Sequence, residues 1–305
     1  MSLLNGLRRA VAGIMAVFLM VFVTPNKAPA HTVLDEENCK MCITAMSDVH
    51  IEGNNFATYK GFGRVLLDAK NNSFGTDVGV FLGDDTMNGQ EIESLLFYGL
   101  LAENSFAKNY ISAPGNHDVG NGEGNYDILF KRFADYSKTF LKVNVDKPYY
   151  CKVIDGVYFI VLGTEKLCVN EVDPSDEQYA FLVDSLEKAK ADNAISFICC
   201  HHPEHDINDS ENYSFWNIVK NYKNVFFISG HTHMPVTDWW TFDKYLGVNI
   251  INLPKCTENV DEKSENSNGC GVQIEIYENE VVARIRDFYN GKWVEGFERH
   301  YAIQK

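Results

Sequence analysis

Five short fragments between them combine histidine with aspartate or asparagine at spacings that suit metal ligation: Asp48-Val49-His50, Gly83-Asp84, Gly115-Asn116-His117-Asp118, His201-His202-Pro203 and Gly230-His231-Thr232-His233. Six of the nine histidines fall inside them. Each fragment follows an apolar, β-branched run, where a strand should end. Imidazole nitrogen mixed with carboxylate and amide oxygen suits Zn(II), Mn(II) or Fe(II), whereas Ca(II) or Mg(II) would call for oxygen alone. Two such ions held about 3.5 to 4 Å apart can clamp the attacking and leaving oxygens of a phosphoryl group, provided that something bridges them. A single carboxylate between two ligand sets can do that. Taken singly the fragments mean little, because Asp-x-His and Gly-Asp are common and Gly-Asn-His-Asp would serve as a turn with an Asx hydrogen bond. Their joint order carries the metal-site reading.

That order resembles the calcineurin-like metallophosphoesterase superfamily, which includes purple acid phosphatases, cyclic-nucleotide phosphodiesterases and DNA-repair nucleases. The likeness runs over roughly residues 43 to 290. It implies one metal held by Asp48, His50 and His233, a second held by Asn116, His201 and His231, and Asp84 bridging the two. It also implies that a hydroxide shared between the ions attacks phosphorus. His117, by the same resemblance, is not a ligand but faces the substrate, with Asp118 expected to orient it. Adjacent side chains at a strand end point to opposite sides, so His201 and His202 should not both reach one metal. The spacing to Pro203 favours His201. Purple acid phosphatases carry a metal-binding tyrosine three residues after the bridging aspartate, and here that position is Met87. The purified protein is therefore expected to be colourless. A visible absorption band assignable to a tyrosine ligand would contradict this.

Such side chains need strand ends to fix them. Strands are expected at Cys42 to Ser47, Val78 to Leu82, Tyr110 to Ala113, Ala194 to Cys200 and Val225 to Ser229, each running into a ligand fragment. In α/β sheets, ligands collect at the carboxyl ends of strands. A hairpin is expected over Tyr149 to Ile154 and Val157 to Leu162 around Asp155-Gly156. A helix is expected from Pro174 to Lys190 with Asp173 as its cap, and further helices at Asn125 to Lys138 and Glu211 to Tyr222. Val272 to Tyr277, Val281 to Phe288 and Trp293 to Glu298 read as an antiparallel meander. The order suggests two mixed β-sheets packed face to face with helices outside, the four-layer αββα sandwich that the family resemblance implies. Specificity would then depend on loops around residues 51–63, 85–93, 119–125 and 203–213.

Composition narrows the function further. At 305 residues, 45% apolar and 23% charged, the chain can bury a substantial core. A formal charge of −15 argues against a nucleic-acid partner, because sequence-independent binding rests on cations neutralising phosphates. A small phosphoester is the expected substrate. Residues 1–30 read as an export signal: Arg8-Arg9, an apolar run from Ala10 to Val23, then Ala28-Pro29-Ala30 as a cleavage site. This run falls short of the roughly 20 apolar residues a spanning helix needs, so cleavage is favoured over retention at the membrane, with residues 31–305 as a single catalytic domain. The eight cysteines permit disulfides without fixing them, Cys151 with Cys168 and Cys256 with Cys270 among the options. Cys39-x-x-Cys42 precedes the first strand and so lacks the context of a redox motif. Trp239, Trp240 and Phe242, just after the last ligand pair, read either as sheet packing or as a platform for an aromatic leaving group, packing being the default.

The sequence therefore points to a hydrolase of phosphomonoesters or small phosphodiesters using two divalent transition metals. A cyclic-nucleotide phosphodiesterase or nuclease on the same scaffold is the main alternative. A non-catalytic metal-binding module is a third, disfavoured because a closed structural site would have no use for His117. Native metals and oligomeric state are not legible in the sequence.

Overall fold

The computed structural model describes residues 3–25, 33–71, 75–257 and 269–304. Two six-stranded sheets face each other. The first has the order β12-β11-β10-β1-β2-β3, with β1 Met41–Met46, β2 Thr76–Leu82, β3 Ala107–Ala113, β10 Cys270–Ile276, β11 Glu280–Asp287 and β12 Lys292–Ala302. The second runs β4-β5-β6-β7-β9-β8, with β4 Tyr150–Ile154, β5 Val157–Val161, β6 Ser196–Cys199, β7 Val225–Ser229, β8 Phe242–Tyr245 and β9 Val248–Asn252. In the first sheet β1, β2 and β3 are parallel and the C-terminal meander adds antiparallel. In the second, β5, β6, β7 and β9 are parallel.

Alternation along each strand splits its side chains between two layers. Ile43, Ala45, Val80 and Ile111 meet Phe159, Phe197 and Ile228 between the sheets. On the outer face of the first sheet, Met46 and Phe81 pack under α2 (Phe56–Asn71) and α3 (Glu91–Glu103). On the outer face of the second, Ile160, Ile198 and Phe227 pack under α5 (Asp176–Ala191) and α6 (Phe215–Val219). Helix, sheet, sheet, helix is the four-layer sandwich expected from the sequence.

The expected strands are present, with ends moved by a residue or a few, and the Asp155-Gly156 hairpin is present with both residues at positive φ. Several helix expectations need correction. The helix after residue 173 is capped by Ser175, whose side chain accepts from the Gln178 amide, while Asp173 pairs with Lys166 at 2.8 Å. The run from Asn125 is α-helical as α4 (Tyr126–Tyr136), capped by Asn125, and then widens into a π-turn over Ser137–Leu141. The helix expected over Glu211 to Tyr222 shrinks to α6, because the Asp209 side chain accepts from the Phe215 amide and starts it there. Within 51–63, residues Phe56 onward are helix rather than loop.

Helix α1 (Leu3–Met20) lies along α3, with Ala12 and Ala16 buried and Arg8 paired to Glu91 at 2.9 Å. Leu7, Ile14, Val17 and Phe18 on its other side are exposed. By length and composition α1 could cross a membrane, a property shared by signal sequences and anchors. The expected cleavage site at Ala28 to Ala30 and most of the polar stretch from Thr257 to Gly269 lie outside the described residues. All eight cysteines are free thiols. Cys151 sits against α5 near Ser185, whereas Cys168 lies 3.9 Å from His202, so these two do not pair.

Candidate metal centre

Five of the seven expected ligand residues have left-handed backbone: Asp48 (φ 59°), His50 (φ 49°), Asp84 (φ 51°), His231 (φ 70°) and His233 (φ 51°). Non-glycine residues enter this region rarely, and several together mark a place where packing enforces an aim for the side chains. After β1, β2 and β7 the chain leaves the strand through such a turn and directs its donors into the space above the paired sheets. Neighbouring glycines make room. A Cβ on Gly115 would lie 2.2 Å from the Asp84 carboxylate, and one on Gly230 would lie 1.9 Å from Ser47 Oγ.

Two donor groups result. Asp48, His50, Asp84 and His233 form one, and Asp84, His201 and His231 the other, with the donor atoms of each group within 4.8 Å of one another. In the first, His233 Nε2 lies 2.9 Å from His50 Nε2 and 3.1 Å from Asp48 Oδ1. In the second, Asn116 Oδ1 joins, 3.0 Å from His201 Nε2 and 3.1 Å from His231 Nδ1. Asp84 Oδ2 faces both groups, 3.7 Å from His50 Nε2 and 3.2 Å from His201 Nε2. Its Oδ1 accepts the His117 amide at 2.9 Å. Asp48, Asp84 and His201 form a buried floor, while His231 and His233 are only partly covered.

The donor set fits a pair of cations. His201 Nδ1 lies 2.7 Å from the Leu82 carbonyl and must donate there, which leaves Nε2 as a bare lone pair. That lone pair faces Asn116 Oδ1, Asp84 Oδ2 and, at 3.3 Å, His231 Nδ1. The Asn116 oxygen is held in place because its amide nitrogen donates to Asn121 Oδ1 at 2.9 Å. Acceptors converging on acceptors repel unless a cation or a proton sits among them. Donor-to-donor edges near 3 Å are those of a ligand shell at ordinary metal–nitrogen and metal–oxygen lengths of about 2.0 to 2.2 Å.

Without metal a proton takes that place. Burial works against a charged His201, but the Asp84 carboxylate beside it prevails and raises its pKa to about 9. His231 moves the other way, lowered to about 4 by burial and by the neighbouring His201. Asp84 is held well below the usual carboxylate range, its burial outweighed by His201. At neutral pH the metal-free site thus carries a proton on His201 that a cation must displace. Below pH 9, metal affinity should fall by about tenfold per pH unit as this proton competes. Calorimetric titration in buffers of differing ionisation enthalpy should show at least one proton released per chain at pH 7, the one held by His201. Binding with no proton release would refute the displacement.

His117 stands outside both groups, its ring edge-on to His50 at 4.8 Å between centroids. Its Nδ1 lies 2.7 Å from the Met87 carbonyl, and this carbonyl orients it. The expected partner Asp118 does something else. Its carboxylate accepts from the amides of Asp85, Thr86 and Gly115 and from Thr86 Oγ1, at 2.8 to 3.3 Å, tying two ligand loops together. Turning it towards His117 would strand those buried donors at about 1 to 3 kcal/mol each. His202 also lies outside the donor groups. It is buried, its Nε2 is 3.2 Å from the Val169 carbonyl, and its ring covers that of His231 at 4.4 Å. Reading the sequence for ligands missed Asn121 and the Met87 carbonyl. Asn121 lies in the glycine-rich stretch Gly120 to Gly124. Its left-handed φ of 49° and its amide bond to the Asn116 carbonyl at 2.6 Å fold that stretch back onto the site.

A family model described as calcineurin-like phosphoesterase matches residues 41–235. The chain belongs to that family. The match spans all five ligand fragments and both donor groups. No curated protein is detectably similar to the chain. Among solved structures, a dimetal phosphatase from Danio rerio superposes with a TM-score of 0.58 at 16% identity, covering 88% of this chain and 100% of that one. A purple acid phosphatase isolated from yellow lupin (Lupinus luteus) seeds does so with a TM-score of 0.58 at 14% identity, covering 86% of this chain and 53% of that one. This calcineurin-like chain therefore spans about half the length of the lupin protein. At such identities the likeness is one of fold.

Proposed function

We propose that this protein is an exported phosphoesterase that binds two divalent transition metals (Mn, Fe or Zn) and hydrolyses phosphomonoesters or small phosphodiesters. The observation that carries the reading is the position of Asp84 Oδ2, which belongs to both donor groups at once. Asp48, His50 and His233 would hold one ion, Asn116, His201 and His231 the other, with Asp84 between them. When bound, the ions would supply Lewis-acid activation of a water and of the phosphoryl oxygens.

The chain's own residues set the geometry around that chemistry. Leu82 fixes the tautomer of His201 through its carbonyl, and Asn121 fixes which atom Asn116 presents. His117, with Nδ1–H given to Met87, has only Nε2 left for the substrate. As imidazolium it offers Nε2–H to a phosphoryl oxygen or to the departing ester oxygen. As neutral imidazole its Nε2 accepts only from a protonated phosphate oxygen or from a water. Export rests on the apolar α1 and on the sequence pattern of residues 1–30, and retention at the membrane by an uncleaved α1 is the alternative.

Metal analysis joined to a substrate comparison tests the reading. The purified protein should contain two ions per chain, lose activity to a chelator and regain it with Mn, Fe or Zn. Turnover of p-nitrophenyl phosphate against bis-p-nitrophenyl phosphate then separates monoesterase from diesterase. Full activity with a single ion, or no hydrolysis of either compound, would overturn it.

A further inference from the structure

Both metal-ligating strands of the second sheet are followed by a short segment that carries an aromatic ring to the same edge of the metal centre. After β6 and the His201-His202-Pro203 fragment, a single 3-10 turn (Glu204–Asp206) presents His205, whose side chain is half exposed. After β7 and the His231-Thr232-His233 fragment, α7 (Asp238–Thr241) presents Trp239 and Trp240. The His205 ring meets Trp240 edge-on at 5.8 Å, and Trp240 meets Trp239 at 5.2 Å. The tryptophans divide in role from Phe242, which is buried between the sheets.

The rings are joined to the ligand loop through Trp240. Trp240 Nε1 donates to Thr232 Oγ1 at 3.4 Å, and Thr232 is the residue between His231 and His233. The Trp240 carbonyl accepts from Asn252 Nδ2 at 2.7 Å, which fixes the backbone beneath the shelf to β9. Trp239 is nonetheless 67% exposed and Met234, next to the last ligand, 39% exposed. Single apolar residues on a surface need no explanation, but Trp239 lies edge-on to Trp240 at 5.2 Å, and paired rings tied to a ligand loop mark a binding surface. The charge around them selects the occupant. Glu204 and Asp206 lie 3.5 and 3.8 Å from His205 and would repel an extended polyphosphate.

We propose that Trp239, Trp240 and His205 form the leaving-group subsite of the metal centre, which takes an uncharged planar aromatic group carried by the ester oxygen of a phosphate monoester. This rests on the phosphoesterase reading given above. Stacking on an indole tolerates any flat ring, so a phenyl ring on the ester oxygen and a nucleobase one sugar away share the same chemistry.

The test is the ratio of kcat/KM for an aromatic ester to that for glycerol 2-phosphate, measured on the full metal-loaded chain for parent, Trp239→Ala and Trp239→Phe. Two aromatic esters, p-nitrophenyl phosphate and adenosine 5′-monophosphate, provide separate arms. Comparing ratios between variants cancels the difference in leaving-group reactivity. Trp239→Ala should lower the ratio about tenfold, through KM, in at least one arm, and Trp239→Phe should restore most of it. A fall with the aryl ester alone places the ring on the ester oxygen, and a fall with the nucleotide extends the shelf to a base. Phenylphosphonate should likewise lose more affinity than methylphosphonate. A ratio unchanged in both arms, with turnover intact, removes the subsite alone. Failure of the parent to hydrolyse any of the three monoesters removes the subsite, and failure on bis-p-nitrophenyl phosphate as well removes the phosphoesterase reading with it.

Discussion

Asp84→Asn is expected to lower phosphoester turnover by about three orders of magnitude and to leave the protein with no more than one tightly held ion. The substitution keeps the shape of the side chain and the acceptor for the His117 amide, so the fold around the site has little reason to change. What it removes is the one carboxylate oxygen that faces His50 and His201 together. Orienting the amide NH2 towards either group would place a donor where a lone pair is needed, and orienting it away would break the His117 contact. The substitution also removes the chief cause of the raised His201 pKa, so proton release on metal binding should fall. Metal content by elemental analysis, kcat on p-nitrophenyl phosphate and the calorimetric proton count read these effects separately. Two bound ions with parental kcat would show that Asp84 is not the shared ligand.

Much of the fold was legible because ligand fragments and strand ends coincide. Val225–Ser229 could be read directly, since five apolar or small residues run straight into Gly230. Asp155-Gly156 marked its hairpin because that turn demands positive φ at both positions. Helix α3 was not legible for a physical reason. Its run Glu-Ile-Glu-Ser-Leu-Leu-Phe-Tyr-Gly-Leu-Leu-Ala-Glu is apolar on nearly every side, because the sheet lies under one face and α1 over another. It therefore lacks the amphipathic period that announces a surface helix.

The donor types at the metal centre could be read from sequence, but the contacts that aim them could not. The carbonyls of Leu82 and Met87, which orient His201 and His117, belong to the backbone and leave no mark on residue identity. Left-handed φ at Asp48, His50, Asp84, His231 and His233 is imposed by packing rather than by glycine. Asp118 misled because a carboxylate beside a histidine suggests a partner. In the fold, three backbone amides and one hydroxyl reach it first.

That reassignment sharpens what removing His117 should do. His117→Ala is expected to lower kcat on an unactivated ester such as glycerol 2-phosphate by about a hundredfold or more, with both ions still bound. The metal donors do not include His117, so metal content reports only whether the fold survived. An alkoxide is a poor leaving group and needs a proton or a strong hydrogen bond, whereas p-nitrophenolate departs without one. If Nε2–H serves the leaving oxygen, p-nitrophenyl phosphate should therefore lose much less than the alkyl ester. If it serves the phosphoryl oxygens, both esters should lose alike, since charge gathers there whatever group departs. His117→Gln keeps a donor of similar reach and should recover part of the second effect and little of the first, because an amide does not deliver a proton. Asp118→Asn supplies the contrast. It disturbs the join between the loops at Asp85 and Gly115 and should lower thermal stability more than it alters the preference between the two esters. Parental turnover of glycerol 2-phosphate by His117→Ala would exclude both roles and leave His117 as packing against His50.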